Sequence, residues 1–570
     1  MNRLTNPFEF EAATKLSPQD IVEYYCDDFN FSRFVRSTRN VFFEGERGVG
    51  KTMTLKYFSL PIEALKPKCD LAICCIYISC QTPLNYRRED ELLNEYRAAA
   101  VSEHHFAIQI MQSIISEMAR AENLFRSIES EAFIESLENW IGVEIPRSAN
   151  SVWQNIEMAL QVVSRNAERS INTSELEPFY KIAMSFANGV IPLLKGLKAL
   201  PELAGSHFSL MIDDAHMLSP RQTLLLNSWV SYRDNTLFSF KVASTKSGRF
   251  NRRTASGGGI LEGHDFVKVD MLRPHQNKNS DFGKLAEKIV SKRLIKAGIR
   301  NTTPLEFFPE HPSVLRELKT CENEVRQEAI KMYGEDDKKT IGDHVYKHTR
   351  ARFFQNRKPQ ANLPVYAGFE TISRLSTGVV RALLEPCYRM FDAAVSESDG
   401  DTPESIAPTV QDKIIKGMSQ SKWNWIKEEL PRVVECTTEE ATQVLNIFEQ
   451  LATLFQHRLK NHKSEPRATV FIITGSSESQ KKLKRLFEIS HEAQLLFSYS
   501  GPAKENSKRV RHYVPNRMLW PVRGLDVYDR HAKVSISAEE LVRVANGGKI
   551  TLKEPNKNQL DLFGEENCES

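Results

Sequence analysis

The apolar positions along the chain fall into two kinds of pattern. Short continuous apolar runs at residues 40–44, 76–80, 208–212 and 238–243 read as buried strands. Phe106, Ile110, Ile114 and Met118, at i+4 spacing, predict a helix between the second and third of these runs. Residues 373–395 read as a further helix. Residues 396–405 are acidic and small, with no apolar period, and mark a domain break. Beyond it, Thr437 with Glu440 forms a capping box, and Leu445, Phe448, Ala452, Phe455 and Leu459 recur at helical spacing. Residues 467–474 read as strand, 477–489 as a basic amphipathic helix, and 493–499 and 509–515 as two more strands. The expected organisation is an α/β body over residues 1–270 with a helical insertion at about 84–200. A helical lid over 271–395, a linker over 396–409, an α+β module over 410–550 and a polar tail over 551–570 follow it.

Composition narrows the class. A chain of 570 residues exceeds what one hydrophobic core supports, and 41% apolar with 26% charged residues is ordinary for a soluble protein. The longest near-apolar run, residues 71–80, is about half of what a helix needs to span a bilayer. With no signal-peptide pattern at the first residues, a cytoplasmic chain without membrane contact is expected. The nine cysteines form no CxxC pair, and Cys74, Cys75 and Cys80 share one strand-like run; reduced, buried thiols fit, and a zinc site does not. A net charge of +3 is too small to drive nucleic-acid binding in bulk, so any such site must be local.

The most specific segment is Gly45-Glu46-Arg47-Gly48-Val49-Gly50-Lys51-Thr52, a complete G-x-x-x-x-G-K-T between an expected strand and an expected helix. Its glycines let backbone N–H groups curl around a phosphate. Lys51 is placed to neutralise the β- and γ-phosphates, and the Thr52 hydroxyl to ligate Mg²⁺. The strand at 208–212 ends in Asp213 and Asp214. Asp213 is the expected second holder of Mg²⁺, and Asp214 the residue that orients and deprotonates the attacking water. An Asp there is shorter than the Glu common at this place, so turnover is expected to be slow. The strand at 238–243 ends in Ser244 and Thr245, polar groups able to contact a γ-phosphate. Arg381, in the expected lid helix, is a candidate reporter of nucleotide state.

Asn6-Pro7-Phe8, the Gly45–Thr52 loop, the strand Ile76-Tyr77-Ile78-Ser79-Cys80, the Met211-Ile212-Asp213-Asp214-Ala215-His216 box and the Gly378-x-x-Arg381 segment occur in this order. Together they resemble the bacterial branch of the origin-recognition and replication-initiator AAA+ ATPases, over roughly residues 1–395. The resemblance implies a P-loop NTPase core of AAA+ type with a parallel sheet, a helical lid and a C-terminal winged-helix-like domain. It implies Mg²⁺-dependent hydrolysis of ATP, with Asp213 and Asp214 as the Walker B pair, Thr245 or Ser244 as first sensor and Arg381 as second sensor. Two departures stand out. Lys51 and Asp213 lie 162 positions apart, which demands the long insertion. For an arginine finger acting between self-assembled subunits, Arg249, Arg252 and Arg253 are positional candidates only.

The C-terminal third carries local charge. Between residues 481 and 533 there are 12 Lys or Arg against 5 Asp or Glu. DNA contact is expected there, through Lys481, Lys482, Lys484 and Arg485 on the helix and Lys504, Lys508 and Arg509 at a wing-like loop. Only one helix is legible between the first two strands, where a winged helix needs two, so a protein-binding or purely structural α/β module stays open. In the tail, Gln559-Leu560-Asp561-Leu562-Phe563 resembles the pentapeptide by which bacterial proteins dock on the replicative sliding clamp. Leu562 and Phe563 would enter an apolar pocket and Gln559 would supply polar recognition.

Two functions therefore compete. One is an ATPase whose nucleotide state controls assembly on DNA, recruited by the clamp; initiation, helicase loading and anti-phage defence all fit it. The other is a signalling ATPase that recruits a protein effector without DNA.

Overall fold

The computed structural model describes residues 6–9, 13–80, 94–125, 131–148, 150–172, 179, 181–232, 236–245, 251–272, 282–357, 363–398, 401–461, 466–502, 509–528 and 533–552. The chain forms two compact units, residues 11–274 and residues 1–10 with 275–570.

The first unit is built on a five-stranded parallel sheet of order β2-β3-β4-β1-β5. Its strands are β1 Val41–Glu44, β2 Ile73–Ser79, β3 His207–Asp213, β4 Phe238–Ser244 and β5 Val267–Asp270. Every residue of β3 and β4 is buried, as expected of parallel strands covered on both faces. The long connection from β2 to β3 is helical. Its longest helix, Glu95–Arg120, puts Phe106, Ile110, Ile114 and Met118 fully in the core. Rings of Phe106 and Phe186 from this connection stack on Trp229 at 5.0 and 4.5 Å. The insertion thus shares one apolar core with the sheet.

Lys241 of β4 is fully buried, and its ammonium donates to Ser37 O, Arg39 O and Ser239 Oγ at 2.7–2.8 Å. Burial lowers its pKa to about 7.

The second unit begins with helices Phe282–Lys296, Pro312–Tyr333, Lys338–Asn356, Phe369–Leu375 and Val380–Glu397. Phe8 packs here against Phe307, Phe308 and Phe391. The single helix expected at 373–395 is two helices. Thr377 and Gly378 take φ of +54° and +84°, which breaks the helical path.

The break expected at 396–409 lies inside this unit, and backbone and side-chain bonds hold its C-terminal end. Ile406 N donates to Phe307 O, and the Gln411 amide donates to Pro309 O and Ile406 O and accepts from Gly368 N. Helices Pro408–Glu428 and Thr438–Asn461 follow. The expected capping box is present: Thr437 N donates to Glu440 Oε2 at 2.8 Å and Glu440 N to Thr437 Oγ1 at 3.1 Å.

A four-stranded mixed sheet of order β7-β8-β6-β9 closes the unit, with β6 Val470–Thr474, β7 Leu496–Pro502, β8 Arg509–Pro515 and β9 Lys533–Ser537. One helix, Ser477–Glu492, stands between β6 and β7, and β9 lies parallel beside β6. This differs from the expected winged helix, which places two helices between its first and second strands. The β7–β8 hairpin occupies the place of a wing, and its tip falls outside the described residues.

Arg350 of helix Lys338–Asn356 and Arg467, just before β6, converge on Asp526. Asp526 is buried, and the Arg350 guanidinium also covers the Tyr528 ring at 3.7 Å. Arg350 is therefore engaged within its own unit.

Candidate functional site

In a parallel sheet the loops that follow the strand C-termini gather on one edge, and the chemistry-bearing residues of the first unit lie there. The loop after β1 turns through Gly48 and Gly50 at φ of +85° and +110°, values a side chain would strain. Gly45 N donates to Ser244 O at 3.3 Å, which ties the start of the loop to the end of β4. Helix Lys51–Tyr57 begins at the end of the loop. The Lys51 ammonium points back into the loop, donating to Gly45 O at 2.7 Å and Glu46 O at 2.9 Å. Burial lowers its pKa to about 8, against the pull of Asp213, Glu46 and Asp214.

Asp213 ends β3 and is fully buried. It accepts from the Tyr77 hydroxyl at 2.9 Å, from the Asp214 amide at 3.0 Å and from the Thr52 hydroxyl. Burial and then the Asp214 charge push its pKa up, while the Thr52 and Tyr77 bonds and Lys51 oppose them. Asp214 follows at φ +52°, in the left-handed region. Nδ1 of His216 stands 3.9 Å from Asp214 Oδ1. Burial, with Arg47 and Lys51 near, lowers the His216 pKa to about 4, so at neutral pH this contact is no ion pair.

β4 lies between β3 and β1, so Ser244 and Thr245 emerge between the acidic pair and the Gly45–Thr52 loop. The donor set fits ATP and Mg²⁺. A loop with two left-handed glycines and a buried ammonium suits a polyphosphate, and Thr52 beside a buried carboxylate offers the hard oxygens that Mg²⁺ prefers.

Tyr77 is a site residue that the motif does not announce. Ser79 of β2 pairs with Asp213, and Tyr77, two residues earlier, shares its face of the sheet and reaches the carboxylate. Behind it, buried Glu117 accepts from Tyr77 N at 3.4 Å. Burial raises the Glu117 pKa to about 7, against the Tyr77 amide, Arg120 and Lys56. An acid raised in the folded state contributes stability that is complete below its ordinary value and lost as pH rises through about 7. Glu117→Gln is expected to flatten this fall, read as the difference in urea midpoint between pH 5 and pH 8. An unchanged pH slope would contradict it.

Other expected residues fall elsewhere. Arg381 belongs to the second unit, exposed in the first turn of helix Val380–Glu397. Arg252 is paired with Glu44 at 2.6 Å and lies over the Phe266 ring at 4.7 Å. Arg253 is exposed, and Arg249 lies outside the described residues. On helix Ser477–Glu492, Lys482 pairs with Glu478 at 3.1 Å, Lys484 with Glu488 at 3.8 Å and Arg485 with Glu440 at 3.4 Å. Lys481 is exposed, and Arg509 opens β8 with its side chain exposed. Lys504, Lys508 and the segment Gln559, Leu560, Asp561, Leu562 and Phe563 lie outside the described residues.

Residues 6–536 match the model of one family, described as ORC-CDC6-like. The chain belongs to the ORC-CDC6-like family. Members of the ORC-CDC6-like family are typically AAA+ ATPases, and the five-stranded parallel sheet with its glycine loop is that fold. Among solved structures, Cdc6p from Pyrobaculum aerophilum is 11% identical, over 95% of this chain and 97% of that one, with a TM-score of 0.30. The Aeropyrum pernix ORC2 protein in ADPNP-ADP complexes is 11% identical, over 95% and 96%, at 0.33. The Aeropyrum pernix ORC1 protein in complex with DNA is 10% identical, over 88% and 93%, at 0.28. No curated protein matches the chain significantly. No helix among the described residues is long and apolar enough to cross a membrane.

Proposed function

We propose that this ORC-CDC6-like chain is a Mg²⁺-dependent ATPase whose nucleotide state controls its assembly on DNA, and that its tail brings it to the sliding clamp. The observation that carries the ATPase reading is the convergence of Lys51, Thr52 and buried Asp213 around the Gly48–Gly50 turn. The loop amides and Lys51 hold the β- and γ-phosphates of ATP. Thr52 and Asp213 hold Mg²⁺, with Tyr77 fixing the carboxylate by its hydroxyl bond. The ion, when bound, neutralises charge that develops on the transferred phosphoryl group. Asp214 orients the attacking water and takes its proton. Thr245 contacts the γ-phosphate, and Arg381, from the lid, reports its presence.

Recruitment rests on Gln559 to Phe563. Deleting these five residues is expected to abolish binding of the full chain to purified sliding clamp in an equilibrium titration. Unchanged affinity would remove the clamp from the account.

The ion pairs on helix Ser477–Glu492 favour a second reading, in which a protein effector replaces DNA. Changing Lys481, Lys482, Lys484 and Arg485 together to Ala separates the two. Loss of salt-sensitive DNA binding supports the first reading, and DNA binding that is absent or indifferent to the change supports the second.

A further inference from the structure

Within the second unit, a cavity of about 570 Å³ opens between the end of helix Lys338–Asn356, helices Pro408–Glu428 and Thr438–Asn461, and the turn at 521–524. Four cationic side chains line it, Arg357, Lys416, Lys460 and Arg523, against one carboxylate, Asp412. That carboxylate is already used: Oδ2 accepts from Lys416 Nζ at 2.6 Å and Oδ1 from Tyr366 N at 3.0 Å. The cavity therefore carries an excess of positive charge.

Two of the cations are also held in place. The Arg523 guanidinium lies over the Trp423 ring at 4.3 Å, and its contact to Glu449, at 3.5 Å, is long. Lys416 is fixed by Asp412 and stands 5.9 Å from the Tyr366 ring centre. Rigid cations of like sign around one concavity repel each other, and an anion that enters relieves the repulsion. The volume lies in the range of small-ligand pockets, and Phe354, Leu459 and Pro521 supply an apolar wall for a ring or sugar. A guanidinium with three further donors on the same cavity is the chemistry that recognises phosphate.

We propose that this cavity binds a phosphate-bearing small molecule of nucleotide size, at a site other than the Gly45–Thr52 loop. The site is a half-open concavity among three helices and the turn at 521–524, of a size for a free ligand rather than a continuous strand.

The test uses the full chain carrying Lys51→Ala, which disables the loop, and titrates ATP and inorganic tripolyphosphate by calorimetry. One ligand of each is expected to bind per chain. Arg523→Gln in this background is expected to weaken binding by about tenfold or more. Lys460→Gln, at an exposed side chain whose loss leaves the fold intact, is expected to weaken it in the same direction. If the loop were still to bind nucleotide despite Lys51→Ala, two ligands would bind, and the cavity variants would remove one. Affinity unmoved by both cavity variants, or no binding of either probe, overturns the proposal. So does dependence on these residues seen only with a single-stranded oligonucleotide.

Discussion

Asp526→Ala is expected to destabilise the second unit by about 3–5 kcal/mol, because it strands two guanidinium groups in the interior. Asp526 is buried and accepts from Arg350 Nε and Nη2 at 3.0–3.1 Å, from Arg467 Nη1 at 3.5 Å and from Tyr528 N at 3.2 Å. Arg467 is in turn bonded to Tyr346 O at 2.8 Å, so it cannot swing out to water without breaking a second contact. The cluster joins helix Lys338–Asn356, the segment entering β6 and the 526–528 loop, three pieces far apart in sequence. Removal of the carboxylate leaves the charges without compensation, whereas Asp526→Asn keeps acceptor capacity and is expected to cost less. Three of the six tryptophans, Trp423, Trp425 and Trp520, lie in this unit, and their fluorescence in urea reads the loss. A midpoint equal to that of the unaltered chain would show that the cluster holds nothing together.

The parts of the fold that were legible in the sequence are those set by local pattern. The glycine loop, the apolar strands leading to Asp213 and Ser244, the i+4 face of helix Glu95–Arg120 and the Thr437–Glu440 box are each specified within one short stretch. Tyr77 and Glu117 were not legible, because their roles depend on β2 lying next to β3, a pairing across more than a hundred residues. The acidic run at 396–405 resembles a free linker in composition, yet distant backbone groups bind the chain beside it through Ile406 and Gln411. The break at Thr377 is hidden for another reason: a threonine in the left-handed region carries no mark in an apolar pattern. The basic helix is an intermediate case. The i,i+4 spacing of Glu478 with Lys482 is visible in the sequence, and the Arg485–Glu440 pair is not.

ATP turnover is expected to fall by about a hundredfold or more in Lys51→Ala. The ammonium is the one cation seated inside the loop among the described residues, with both bonds made to the loop's own carbonyls, Gly45 O and Glu46 O. A phosphate entering the loop meets it directly, and alanine leaves no replacement. The loop glycines and Asp213 stay in place, so the fold is expected to survive, and an unchanged urea midpoint in the first unit would show it. The decisive measurement is Mg²⁺-dependent phosphate release by the purified full chain and by Lys51→Ala at equal concentration. Turnover present in the former and lost in the latter is the predicted result; equal turnover in both would contradict the site assigned to the Gly45–Thr52 loop.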